Sequence, residues 1–170
     1  DDALGSWVEA TLFGEGVDVS HVVRDTRQAG VMVLESPADH ARQVSYVRRC
    51  SAGSSLTTAD VLGALPGCRR VHLTGVTLAL SDTAREACIA LAREAAAAGV
   101  PVSLDVNYRP ALWSPDEARA ALAMVLPSVT TVIASEDELP LLVDAPESDA
   151  VGHLLAGGAS EVVVKRGERG

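Results

Sequence analysis

"SLDVNYRPALWSPDE", residues 103–117, decides how the chain is read. The hydrophobic run "VPVSLDVN" (100–107) predicts a strand, and it ends in a knot of Asp105, Asn107, Tyr108 and Arg109 before Pro110 stops it. A helix start follows at once. Ser114 as N-cap, Pro115 at the first helical position and Glu117 three residues after Ser114 make a capping box and predict a helix over 115–125. While the chain stays extended, alternate residues share a side, which would aim Asp105, Asn107 and Arg109 at one cleft. Ligands of open parallel sheets bind at the carboxyl ends of the strands. Asp and Asn can hold hydroxyls, and Arg can clamp a carboxylate or phosphate through two parallel hydrogen bonds. The same residues also have a structural reading. Asp105 could cap a neighbouring helix, Arg109 could pair with Asp116 or Glu117, and Trp113 could pack on the new helix. Spacing alone leaves both readings open.

Outward from this stretch the pattern repeats. "RVHLTG" (70–75), "TTVIAS" (130–135) and "EVVVKR" (161–166) read as short strands. Between them lie an Ala-rich helix over 82–98, capped by Ser81 and stopped by Gly99, and helices at 136–142 and 148–156. Strand alternating with helix is the grammar of a parallel α/β sheet with crossover helices. The first third differs. Leu4, Trp7, Val8 and Leu12 predict a helix over 3–13, ended by Gly14 and Gly16. "GVMVLE" (30–35) and "QVSYVRR" (43–49) predict a β-hairpin whose loop holds Pro37, Asp39 and His40. Strand alternation places Tyr46 and Arg48 on one face. A lone hairpin is not stable, so it must pack on the α/β body or on another subunit. The expected layout is a partial α/β core over 1–29, a hairpin over 30–49 and an α/β core over 50–170.

Composition narrows the partners. A formal net charge of −9 argues against nucleic acid and anionic membranes, both of which need a basic face. It leaves room for a small anion, since a pocket needs only one or two Arg. Cys50, Cys68 and Cys88 are widely spaced and form no zinc-ligand pattern with the four His, which fits reduced cysteines in the cytoplasm. No apolar run reaches membrane-spanning length. The chain opens without Met and closes on a strand and a glycine-containing turn, so the expectation is an internal piece of a longer protein.

"SLDVNYRPALW" resembles the D-x-N-x-R-x-x-L-W segment of the ribokinase-like carbohydrate kinases, the PfkB family, and is most similar to the variant in 2-keto-3-deoxygluconate kinases. Other segments agree in order. "DDALGSWVEATLFGEGVDVSHVVRD" resembles the stretch after the family's first glycine-rich strand. "AGVMVLE" and "QVSYVRRCSAGSSL" resemble its lid hairpin, "TVIASEDELPLL" its N-x-x-E helix start, and "EVVVKRGERG" the strand and G-x-x-G turn before the nucleotide site.

The resemblance implies a ribokinase-like α/β fold with a hairpin lid, ATP and magnesium as cofactors, and phosphorylation of a sugar acid. It implies sugar contacts from Tyr46, Arg48, Asp105, Asn107 and Arg109. It implies nucleotide contacts from Ser135, Glu138, Lys165, Gly167 and Gly170, with Glu138 reaching magnesium through water. Ser135 stands where the family commonly has Asn, and S-x-x-E is also an ordinary capping box. The family's Gly-Gly-x-x-x-N segment would precede Asp1, and its G-A-G-D loop, with the general base, would follow Gly170. The 170-residue chain by itself is therefore expected to be inactive. Two other readings are a kinase of a neutral sugar such as fructose, and a non-catalytic α/β module that binds a small molecule. A homo-oligomer formed through the lid is a further expectation.

Overall fold

The structure, a computed structural model, describes residues 2–35 and 43–169. The expected hairpin loop with Pro37, Asp39 and His40 lies outside the described residues, as does Gly170. The chain divides into two compact units, one ending at Leu56 and one beginning at Thr57.

The first unit opens with α1 (Ala3–Gly14). Asp2 caps it by accepting the Gly5 N–H at 2.6 Å, and its other oxygen accepts the Ala29 N–H at 2.9 Å. These two bonds hold the Asp2 carboxyl below its ordinary pKa. No residue of α1 is buried; Trp7 and Phe13 are 66% and 71% exposed. β1 (Val31–Glu35) and β2 (Gln43–Val47) form the antiparallel hairpin, with Met32 opposite Tyr46 and Val33 opposite Ser45. A 3-10 turn, Ala52–Ser55, ends the unit.

The second unit is the α/β sheet. Its elements are α2 (Thr58–Leu62), β3 (Val71–Thr74), α3 (Gly75–Leu80), α4 (Asp82–Ala97), β4 (Val102–Asp105), α5 (Pro115–Val125), β5 (Thr131–Ser135), α6 (Glu147–Ala156) and β6 (Glu161–Lys165). The strands pair in parallel in the order β3-β4-β5-β6, which is the sheet the sequence predicts. The core holds Val71, Leu73, Val102, Leu104, Val132 and Ala134 from the strands. Cys88, Ala92 and Ala95 of α4 and Leu122 and Val125 of α5 belong to the same core. The alternate strand positions form a polar row, in which His72, Ser103, Thr131 and Glu161 follow one another across the four strands. β6 alternates between exposed and half-buried residues along its length.

Ser81 caps α4 through the Ala84 N–H, and the Ser114–Glu117 capping box opens α5 as expected. Three local readings change. The strand expected over 100–107 stops at Asp105, because Asn107 adopts φ +41° and turns the chain. The helix expected over 136–142 is a 3-10 helix, Glu136–Leu141, with Pro140 inside it and one N–H fewer to donate. α2 and α3 are additional helices. α2 carries its own signal, since the Thr57 N–H donates to Asp60 at 2.9 Å.

Candidate functional site

The carboxyl ends of β4, β5 and β6 place Asp105, Ser135 and Lys165 at one edge of the sheet. The Lys165 ammonium donates to Asp105 Oδ1 at 2.7 Å and lies 3.7 Å from Glu138 Oε2. Burial of the ammonium works against its charge. The Asp105 hydrogen bond and the negative charges of Glu138 and Asp105 outweigh that, and the Lys165 pKa is raised.

Glu138 is the most enclosed charge of the group, only 7% exposed. Its Oε2 accepts the Ser135 N–H at 2.8 Å, closing the capping box, and its Oε1 accepts the Tyr108 N–H at 2.6 Å. The second bond crosses to the turn that follows β4. There Asn107 sits in the left-handed region, which Asn tolerates better than most residues. Its side-chain amide reaches Thr74 Oγ1 at 3.5 Å, and the Tyr108 hydroxyl donates to the Trp113 carbonyl at 3.2 Å. Trp113 is buried in the core, as a packing residue should be.

The left-handed turn breaks the alternation that would have aimed Asp105, Asn107 and Arg109 at one cleft. Asp105 is held by Lys165, Asn107 faces Thr74, and Arg109 is exposed. Arg109 pairs with neither Asp116 nor Glu117. Asp116 is taken by Arg119 at 2.9 Å, and Glu117 accepts from Ser114 at 2.7 Å. Gly167 adopts φ +58° and begins the short turn Gly167–Arg169, whose Arg169 pairs with Glu136.

Tyr46 and Arg48 belong to the first unit and meet each other. The guanidinium carbon of Arg48 lies 4.1 Å from the centroid of the Tyr46 ring, a stacking distance. Nε and Nη2 of Arg48 are buried and have no hydrogen-bond partner among the described residues. β2 ends at Val47, so Arg48 stands one residue past the strand, and its side chain still meets the Tyr46 ring.

The sequence reading passed over Thr74, the Tyr108 backbone N–H and Gly75. A Cβ on Gly75 would lie 2.0 Å from the Val106 carbonyl oxygen. The glycine thus lets the start of α3 lie against the backbone just past the end of β4. Its one visible trace is its place right after a strand, in "HLTG".

The model of the pfkB family of carbohydrate kinases matches residues 1–170. The chain belongs to the pfkB carbohydrate kinase family. It is 34% identical over 182 residues to the 2-dehydro-3-deoxygluconokinase of Bacillus subtilis, covering 100% of this chain and 54% of that one. It is 35% identical over 175 residues to Fructokinase-2 of Zea mays, covering 100% of this chain and 52% of that one. A crystal structure of a PfkB protein from Polaromonas sp. JS666 superposes with a TM-score of 0.91 at 33% identity, over 99% of this chain and 58% of the other. The chain spans about half the length of the curated relatives it matches. Its α/β architecture with an antiparallel hairpin is ribokinase-like.

Proposed function

We propose that this chain belongs to an ATP-dependent kinase of a sugar acid, 2-keto-3-deoxygluconate. The observation that carries the reading is Arg48: two buried, unpartnered N–H groups stacked on Tyr46. A guanidinium with buried donors left open is matched best by a carboxylate, which accepts two parallel hydrogen bonds. The likeness to a relative named 2-dehydro-3-deoxygluconokinase supports the same substrate class. Arg109 is exposed and paired with neither Asp116 nor Glu117, and by the family resemblance it is a candidate sugar-acid contact. Asn107 and Asp105 are the candidates for sugar hydroxyls, Asp105 after giving up Lys165. In this layout residues 1–29 and 50–170 serve as the core, and the hairpin over 30–49 serves as the lid that excludes water.

In the reaction a substrate hydroxyl oxygen forms a bond to the γ-phosphorus of ATP. The bond from that phosphorus to the β–γ bridging oxygen breaks, ADP leaves, and the hydroxyl proton passes to a general base. Positioning and charge stabilisation supply most of the catalysis. We place the base and the anion hole in sequence beyond Gly170. Phosphorylation by the 170-residue chain alone would overturn that placement. Ser135, Lys165, Gly167 and Gly170 are assigned to nucleotide binding in this reading, Gly170 being outside the described residues. Magnesium fits Glu138 only indirectly. Each Glu138 oxygen already accepts one backbone N–H and the Lys165 ammonium stands beside Oε2, and the lone pair left on each oxygen is the one a magnesium-bound water would use. Because it draws on ATP, this kinase is placed by the same reading in the cytoplasm.

Fructose phosphorylation is the second reading, favoured by the 35% identity to Fructokinase-2. A non-catalytic binding module is disfavoured by a family match over the whole chain. Arg48→Ala separates the two kinases. For a sugar acid, kcat/KM should fall by the equivalent of about 2–5 kcal/mol, because a buried charge pair is broken. For a neutral sugar the loss should be far smaller. Equal losses on both substrates would remove Arg48 from carboxylate recognition.

A further inference from the structure

Glu138 does more than a helix cap requires. A capping-box carboxylate needs one backbone N–H, and Ser135 supplies it at 2.8 Å. The other oxygen reaches a segment thirty positions earlier, the Tyr108 N–H at 2.6 Å. The residue just before that N–H is Asn107, at φ +41°. Backbone in this region persists only where its surroundings over-determine it. The Tyr108 bond supplies that constraint, since it fixes the peptide that leaves Asn107. Lys165 completes the arrangement by holding Asp105 and lying beside Glu138 at once. The ends of β4 and β6 and the start of the 3-10 helix after β5 thus share one set of charges.

We infer that Glu138 is a positioning residue for sugar binding. By gripping the Tyr108 N–H it sets the left-handed turn at Asn107, and through that turn the placement of the Asn107 and Arg109 side chains. The residue at the head of the nucleotide-side helix thereby controls affinity on the sugar side. This inference rests on the kinase reading above.

The test uses the protein expressed from the complete reading frame that carries this chain, with Glu138→Gln and Glu138→Asp. Gln offers a single accepting oxygen, and Asp keeps the charge but is one methylene too short to span both N–H groups. KM for 2-keto-3-deoxygluconate should rise roughly ten- to a hundred-fold in both variants. Hydrogen-exchange protection of the Tyr108 amide should fall by about ten-fold or more. An active Glu138→Asp enzyme with an unmoved sugar KM, and its loss confined to kcat or the KM for ATP, would overturn the inference while leaving the kinase reading intact. A wild type that phosphorylates no sugar acid would overturn the kinase reading and this inference with it. Should neither variant fold, the wild-type Tyr108 amide decides: rapid exchange there contradicts the clamp.

Discussion

Gly75→Ala should destabilise the second unit more than any other single added methyl group at the glycines with known surroundings. The new Cβ would lie 2.0 Å from the Val106 carbonyl oxygen and 3.1 Å from its carbon. Non-bonded carbon contacts are comfortable near 3.5 Å, so the carbonyl would have to retreat by roughly 1 Å or more. It is not free to do so. The Val106 N–H donates to the Ile133 carbonyl at 2.9 Å, and the Tyr108 N–H on the other side is held by Glu138 at 2.6 Å. Overpacking a well-filled site costs about 1–3 kcal/mol, and losing one of these buried hydrogen bonds adds about 1–3 kcal/mol. The expected sum is roughly 2–6 kcal/mol, read from urea unfolding followed by the fluorescence of buried Trp113. Gly152→Ala is the control. Gly152 lies in α6 with nothing within 4 Å of its added Cβ, so it should be neutral or stabilising by up to about 1 kcal/mol. Equal midpoints for Gly75→Ala and the wild type would refute the close approach of Gly75, at the start of α3, to the Val106 carbonyl.

Two further outcomes can be checked with the same material. Burial raises the Cys88 thiol to about 11 from an ordinary 9.0, so between those values the unfolded chain releases a proton that the folded chain keeps. Stability should therefore fall as pH rises from 9.0 towards 11, by roughly 2–3 kcal/mol, and Cys88→Ala should lack this fall, so that it appears in the wild-type minus variant difference curve. On the hairpin, Val33 and Val47 are 44% and 64% exposed on one face, a surface suited to a second copy. Light scattering should report a dimer for the wild type and a monomer for Val47→Lys; a monomeric wild type would remove the lid from assembly.

What the sequence made legible follows from how local each signal is. The Ser81 and Ser114 caps are contained within four residues, and both helices start where those caps place them. The strands of the parallel sheet are short, mostly apolar runs bounded by turns, and their alternation with helices was enough to give the sheet. α3 was not legible, because "GVTLAL" has no polar residue except Thr77 to reveal a helical period. The site was legible by residue and not by geometry. Asp105, Glu138 and Lys165 were singled out separately, but their meeting depends on strand order, which spacing cannot supply. The break at Asn107 was hidden because Asn is at home both in a strand end and in a left-handed turn, and the partner that settles the matter, Glu138, is thirty positions beyond Tyr108, whose N–H it accepts. Tyr46 and Arg48 were easier, since two residues only two positions apart need no tertiary information to meet.

The most direct test of the account is a steady-state comparison of 2-keto-3-deoxygluconate and fructose as phosphoryl acceptors, with ATP, for the protein made from the complete reading frame. A preference for the sugar acid in kcat/KM that collapses in Arg48→Ala is the predicted result. A preference for fructose, undisturbed by Arg48→Ala, would contradict it.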